Sequence, residues 1–482
     1  MTQPAIRYED VFASHVAEET FDVARIEGEL PTALDGTLLR NGPGHLTIGD
    51  DALHYFDGLG MVASLTLHGG AARFANRHVR SKLYEAEMRA GRQLARRFFT
   101  NRPGGGVLDV TFGDTAQHDV IAFGDELVAT GDSKHHRLRR DTLETLGEDR
   151  WGGLVGERDL MGPMPRVDAA TGTLLGFVVK LGMLRRDEIV FVELDRARRV
   201  IRTASTRLAR SYAVVHDLAF TDRWFVTSEM PGSVSPWAVA RGKVPAFYAT
   251  RWDGGPALIT MVARDGSGEV VRVEGPKDVA LVLHIANAFD DGDRVVLDVC
   301  AYDRVFDVAF LYPPGMRERV RPDATGSPNP TLQRWVVDVA KRSIVDVAVF
   351  PDARGDLPVV PAARRGRACR YVYLTTPDEP DGEIPDPNAL VYLRRLTKAD
   401  CGTGRVATWT APRGQLVSQP GFAPRPGATD EDDGWLLSWV LDLVAGETHV
   451  AVLDARRIAD GPVARVHLGT RLPMPSHASF AG

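Results

Sequence analysis

The sequence predicts an all-β fold, and a propeller rather than a sandwich. Three observations carry this. Short apolar runs broken by Gly, Asp, Asn and Pro recur along the whole chain, long helical patterns are rare, and 482 residues are too many for one simple sandwich. Four hairpins show the plan. Asp119 to Ala129 reads strand, Gly-Asp turn, strand. Val214 to Thr227 turns at Thr221 to Arg223, Leu281 to Val299 at Asp290 to Asp293, and Gly434 to Val452 at Ala445 to Thr448. Turn-forming residues between two apolar runs fold those runs into antiparallel pairing. The stretches Pro377 to Pro387 and Pro424 to Asp433, rich in Pro, Gly and charge, read as surface loops rather than linkers. With no convincing boundary, the chain is expected to form one domain over 1–482.

Composition narrows the function classes. Hydrophobic residues make up 44% and charged residues 25%, the balance of a globular protein with a large core. The net charge is -6 and no Lys/Arg block forms a nucleic-acid footprint, so no nucleic-acid partner is expected. Met1 to Asp10 is polar and is not read as a signal peptide, and no stretch is long and apolar enough to span a bilayer. Cys300, Cys369 and Cys401 are odd in number and far apart, and they read as reduced thiols of a cytoplasmic protein.

One segment departs from the strand pattern. From Leu83 to Phe99, Tyr84, Met88, Gly91, Ala95 and Phe98 fall at helical spacing, with Arg89, Arg92, Arg96 and Arg97 on the other side. Two readings compete: a surface helix packing its apolar face on the body of the protein, or an interfacial helix making peripheral contact with a membrane through 83–99.

Among 13 histidines, three stand in unusual settings: His216 in YAVVHDLAF, His284 in LVLHIANAF and His477 in LPMPSHASF. The first two sit in strongly apolar strands, where an imidazole needs a partner. Each alone reads as a hydrogen-bonded core histidine. Three of them on distant hairpins suggest another possibility, because a propeller brings inner strands of different blades together at its axis. Neutral imidazoles meeting there would hold a metal.

Longer motifs identify a resemblance. Arg40-Asn41-Gly42-Pro43 is followed by His54-Tyr55-Phe56-Asp57-Gly58-Leu59-Gly60-Met61. DTLETLG stands at Asp141 to Gly147, RYVY at Arg370 to Tyr373, and PRPGAT with EDDGW at Pro424 to Trp435. In this order they resemble the carotenoid cleavage oxygenase family, from about Leu30 to Phe480. The resemblance implies a seven-bladed β-propeller with a cap of loops and short helices over an axial metal site. It implies Fe(II) held by histidines, with O2 as co-substrate, and it places ligands at His216, His284 and His477. The reaction it implies is oxidative scission of a carbon–carbon double bond in a carotenoid, apocarotenoid or stilbene.

The chain departs from that family at four positions. The first ligand of the family lies in an A-H-P-[KR]-V-D segment. Here the segment reads Gly162-Pro163-Met164-Pro165-Arg166-Val167-Asp168, so Met164 takes the place of the histidine. A thioether is a soft, weak ligand for Fe(II), and the other reading is that Met164 only fills space beside a three-histidine site. The family's glutamates, which orient the ligand imidazoles, become Asp356 in Asp356-Leu357-Pro358, Gln419 in Ser418-Gln419-Pro420, and Gly131 with Asp132 beside it. These changes leave three functions in play. The chain is a metal-dependent dioxygenase acting on a small apolar or aromatic alkene. Or it is a re-purposed member with isomerase, monooxygenase or rearrangement chemistry, holding Fe(II) or another divalent first-row metal. Or it is a non-catalytic binder of apolar ligands. Oligomeric state is left open.

Overall fold

The computed structural model describes residues 6–102, 104, 113–182, 187–209, 213–235, 237–238, 241, 250–252, 254–305, 311–313, 316, 330–377, 393–474 and 477–482. Most of the predicted loop Pro377 to Pro387 lies outside them. Seven antiparallel sheets stand as blades around one axis, beside a small two-stranded ribbon, Thr47–Ile48 with Asp51–Ala52. The innermost strands are His477–Ala481 in blade 1, Val120–Phe123 in blade 2, Arg166–Asp168 in blade 3, Ala213–Phe220 in blade 4, Leu281–Asp291 in blade 5, Asp356–Val359 in blade 6 and Gly421–Pro424 in blade 7.

Each blade is packed between two neighbours, so its middle strands are buried on both faces. This explains why runs such as Trp224–Val234 and Gly434–Asp442 read as nearly unbroken apolar stretches. The core lies between blades. Leu38, Leu65 and Phe74 of blade 1 meet Leu437, Trp439 and Val452 of blade 7, and Val226, Ile259 and Met261 of blade 4 meet Val295, Leu297 and Trp335 of blade 5. The ring closes through both ends of the chain. His477–Ala481 pairs with Gly36–His45, setting Asn41 against His477, while Arg25–Gly28 pairs with Pro462–His467 as the outer edge of blade 7.

The four predicted hairpins form. The strand pairs are Val120–Phe123 with Glu126–Ala129, Ala213–Phe220 with Trp224–Val234, Leu281–Asp291 with Arg294–Tyr302, and Gly434–Asp442 with Glu447–Asp454. Short helices at Tyr8–Phe12, Tyr55–Asp57 and Lys82–Ala90 sit among the loops. The helix predicted over 83–99 is corrected to Lys82–Ala90. Ser81 caps it by accepting from Tyr84 N, and Gly91 ends it at φ 62° with its N–H on Glu87 O. Beyond it the chain folds back. Arg97 turns inward to a fully buried ion pair with Glu87 at 2.6 Å, and Leu94 N donates to the same carboxylate. Arg96 and Arg97 are both buried while Arg89 and Arg92 stay exposed, so half of the basic face on which the interfacial reading rested faces outward. Among the described residues no helix is long and apolar enough to cross a membrane, and all three cysteines are free thiols.

Candidate metal centre

A propeller presents the starts of its inner strands to the axis, and here each blade contributes one residue of interest near that start. In order around the ring these are His477, His118, Met164, His216, His284, Asp356 and Gln419. Four are histidines, and their rings form a closed circuit. Centroids lie 4.8 Å apart for His477 and His118, 4.9 Å for His118 and His216, 5.1 Å for His216 and His284, and 5.2 Å for His284 and His477. His118, His216 and His477 each offer a ring nitrogen, all within 4.8 Å of one another.

His216, His284 and His477, singled out from the sequence, lie in this circuit together with a fourth imidazole, His118. It was missed because it lies in the short polar run Gln117-His118-Asp119, outside any apolar strand and outside the family's ligand motifs. Its place just before an inner strand was the one available signal. Met164 is buried at the corresponding point of blade 3, and its backbone forms a parallel bridge with Asp217, next to His216.

Two ligand candidates have their orientation fixed. Asp356 Oδ1 lies 2.7 Å from His284 Nδ1 and also accepts from Leu357 N, while Oδ2 accepts from the Tyr302 hydroxyl. With the proton on Nδ1, the lone pair of His284 is left on Nε2, which is buried without a hydrogen-bond partner. Gln419 Oε1 lies 3.1 Å from His477 Nδ1 and accepts from Ala478 N, while Nε2 donates to Pro358 O. That backbone acceptor decides which end of the amide faces the imidazole.

The same level of the propeller carries one hydrogen bond across every junction between neighbouring blades. Going round from blade 1, Ser479 Oγ donates to Val120 O, Thr130 Oγ1 to Pro163 O, Arg166 to Asp217, and Ile285 N to Asp217 Oδ2. His284 to Asp356, Gln419 to Pro358 O and Ala478 N to Gln419 complete the girdle. Side chains held this way keep their geometry before any ligand arrives.

Burial, then the neighbouring imidazoles, holds His118 at about 3 and pushes His216 and His477 well below the ordinary histidine range. All three are neutral near pH 7, as metal ligation requires. Burial also works to lower His284, but the Asp356 carboxylate, with Asp217 behind it, lifts it above the ordinary value. His118 Nδ1 and Nε2 and His284 Nε2 are buried with no protein partner, and ring nitrogens of His118, His216 and His477 lie at mutual distances a single ion can span, a donor set that fits a divalent metal.

On the far side of the imidazoles from the strand starts, a cavity of about 300 Å³ follows the axis, lined in part by Asp119, Arg166, Arg365 and Gln419. Apolar side chains, among them Ile121, Leu218, Phe220 and Ile285, complete a mixed lining.

Comparison with known proteins agrees with this architecture. The family model described as RPE65, retinal pigment epithelial membrane protein, matches residues 12–482. The apocarotenoid-15,15'-oxygenase of Synechocystis sp. is 30% identical over 98% of this chain and 95% of its own. The lignostilbene-alpha,beta-dioxygenase isozyme III of Sphingomonas paucimobilis is 25% identical over 95% and 93%. The crystal structure of cobalt-substituted Synechocystis ACO superposes with a TM-score of 0.87 at 28% identity, covering 98% of each chain. With nearly the whole length matched, this chain belongs to the RPE65 family of carotenoid, apocarotenoid and stilbene oxygenases.

Proposed function

We propose that this protein is a metal-dependent oxygenase acting on a carbon–carbon double bond of an apolar carotenoid-, apocarotenoid- or stilbene-like substrate. The observation that supports it most is the circuit of four imidazoles with His284 Nε2 left unpaired. His216, His284 and His477 would hold Fe(II), or another divalent first-row metal, and the metal would supply activation of O2. Asp356 keeps the proton on His284 Nδ1, and Gln419 keeps it on His477 Nδ1, so both rings present Nε2 inward. A non-catalytic binder of apolar ligands gains nothing from buried unpaired ring nitrogens, which argues against that reading.

A second reading is favoured by one observation. Supporting residues of this chain are an aspartate and a neutral amide where the resemblance leads one to expect glutamates. Altered support changes ligand basicity, which suits non-cleaving chemistry such as isomerisation, monooxygenation or rearrangement. We place the protein in the cytoplasm; peripheral membrane contact through 83–99 would have to use the exposed side of Lys82–Ala90, and vesicle flotation tests it.

The deciding experiment is elemental analysis of protein purified without added metal, followed by O2 uptake with a panel of apocarotenoids and hydroxystilbenes. About one iron per chain and two carbonyl products per O2 are expected. One iron with an isomerised or singly oxygenated product selects the second reading. No stoichiometric metal, with activity unchanged in His216→Ala, His284→Ala and His477→Ala, overturns both.

A further inference from the structure

We infer that the fourth ligand of this centre is His118, supplied by blade 2, and that position 164 on blade 3 no longer serves. The inference rests on the metal-centre reading above and deepens it. His118 closes the imidazole circuit between His477 and His216, passing over blade 3 and Met164. Both of its ring nitrogens are buried and neither has a hydrogen-bond partner in the protein. A neutral imidazole carries one donor and one acceptor, and burying both unmatched is unfavourable. A metal on the unprotonated nitrogen removes half of that conflict.

The backbone leading to His118 is built for this placement. Residues 115–119 cross the ends of blades 1 and 2, held by Gly60 N on Thr115 O and by Asn41 Nδ2 on Ala116 O and Asp119 O. Ala116 adopts φ 48°, a left-handed conformation that a non-glycine residue holds only when its surroundings impose it. The segment also needs two empty places. A Cβ on Gly60 would come within 2.1 Å of Ala116 O, and a Cβ on Gly131 within 3.0 Å of Ala116 N. Gly131 is the position where the resemblance leads one to expect a ligand-supporting glutamate. The glycine at 131, the methionine at 164 and the histidine at 118 then have one explanation. The ligand has moved one blade round, and the chain carrying it fills the space the carboxylate would need.

Metal binding by the full-length protein tests this without reference to turnover. Metal-stripped protein is titrated with Co(II), and affinity, stoichiometry and the visible d–d spectrum are recorded. His118→Ala should weaken Co(II) by more than about 100-fold, beyond the 10–100-fold typical of losing a supporting partner, and should alter the spectrum. Met164→Leu should leave all three readouts as in wild type. His118→Gln keeps side-chain volume and polarity, so it decides the matter if the alanine variant fails to fold. Wild-type affinity and spectrum in a folded His118 variant, or loss of Co(II) in Met164→Leu, overturns the assignment while the metal centre stands. Wild-type protein that binds no Co(II) overturns the centre and the assignment together.

Discussion

Asp356 shows how a shortened side chain can still reach its partner. It sits between two residues of positive φ, Gly355 at 153° and Leu357 at 53°. Its carboxylate then serves His284, Leu357 N and the Tyr302 hydroxyl together. Removing it takes the acceptor away from buried His284 Nδ1 and Leu357 N. Asp356→Ala is therefore expected to lower stability by about 1–3 kcal/mol and metal affinity by roughly 10–100-fold. Denaturant melts and competition with a chelator measure the two effects. A variant that melts like wild type and holds its metal as tightly would show that Asp356 does not support His284.

At the scale of elements, short strands and tight segments do the positioning. Periodicity over 83–99 suggested one helix, but Gly91 stops it and the Glu87–Arg97 ion pair turns the rest inward. An ion pair within the segment itself overrode the helical spacing. The segment 115–119 depends in a similar way on what it lies against. Gly60→Ala would push a methyl group into Ala116 O. We expect that overpacking to cost about 1–3 kcal/mol, and to weaken metal binding as well, since the displaced segment carries His118. Thermal melts and metal titration of this variant check both, and a wild-type melting curve would contradict the close approach.

Across the whole molecule, stability comes from blade-to-blade packing, and its pH dependence from what that packing buries. Eight histidines are shifted down, burial being the largest cause, among them His78 and His449 at about 4 and His118 and His135 at about 3. Between about pH 6.5 and 4 the unfolded chain binds protons on these groups that the folded protein refuses, so their contribution to stability is lost as pH falls. Buried aspartates act in the opposite sense. Asp57 at about 7 and Asp119 and Asp132 at about 6, with Asp149 and Asp298 also raised, keep protons when folded, so their contribution is lost as pH rises. The histidines are the larger group. Metal-free protein should lose stability steadily from pH 6.5 to 4.5, and a flat or rising profile of denaturation midpoints over that range would refute the balance drawn here.

The sequence by itself determined the strands, the turns and most of the metal-centre candidates. Gly124 with Asp125, and Thr221 to Arg223, fold their hairpins through neighbouring residues alone, so they are legible locally. His216, His284 and His477 were legible first from their settings and then, with Asp356 and Gln419, from motif resemblance, not because their intervals mean anything. Only the tertiary structure decided which side chains meet. Ring closure sets Ser479 against Val120, 359 residues apart in sequence, and it delivers His118 from a polar run with no periodic signal. A propeller axis collects one residue from each blade. The spacing between such residues reflects blade and loop lengths, so their convergence is a property of the closed ring rather than of any stretch of chain.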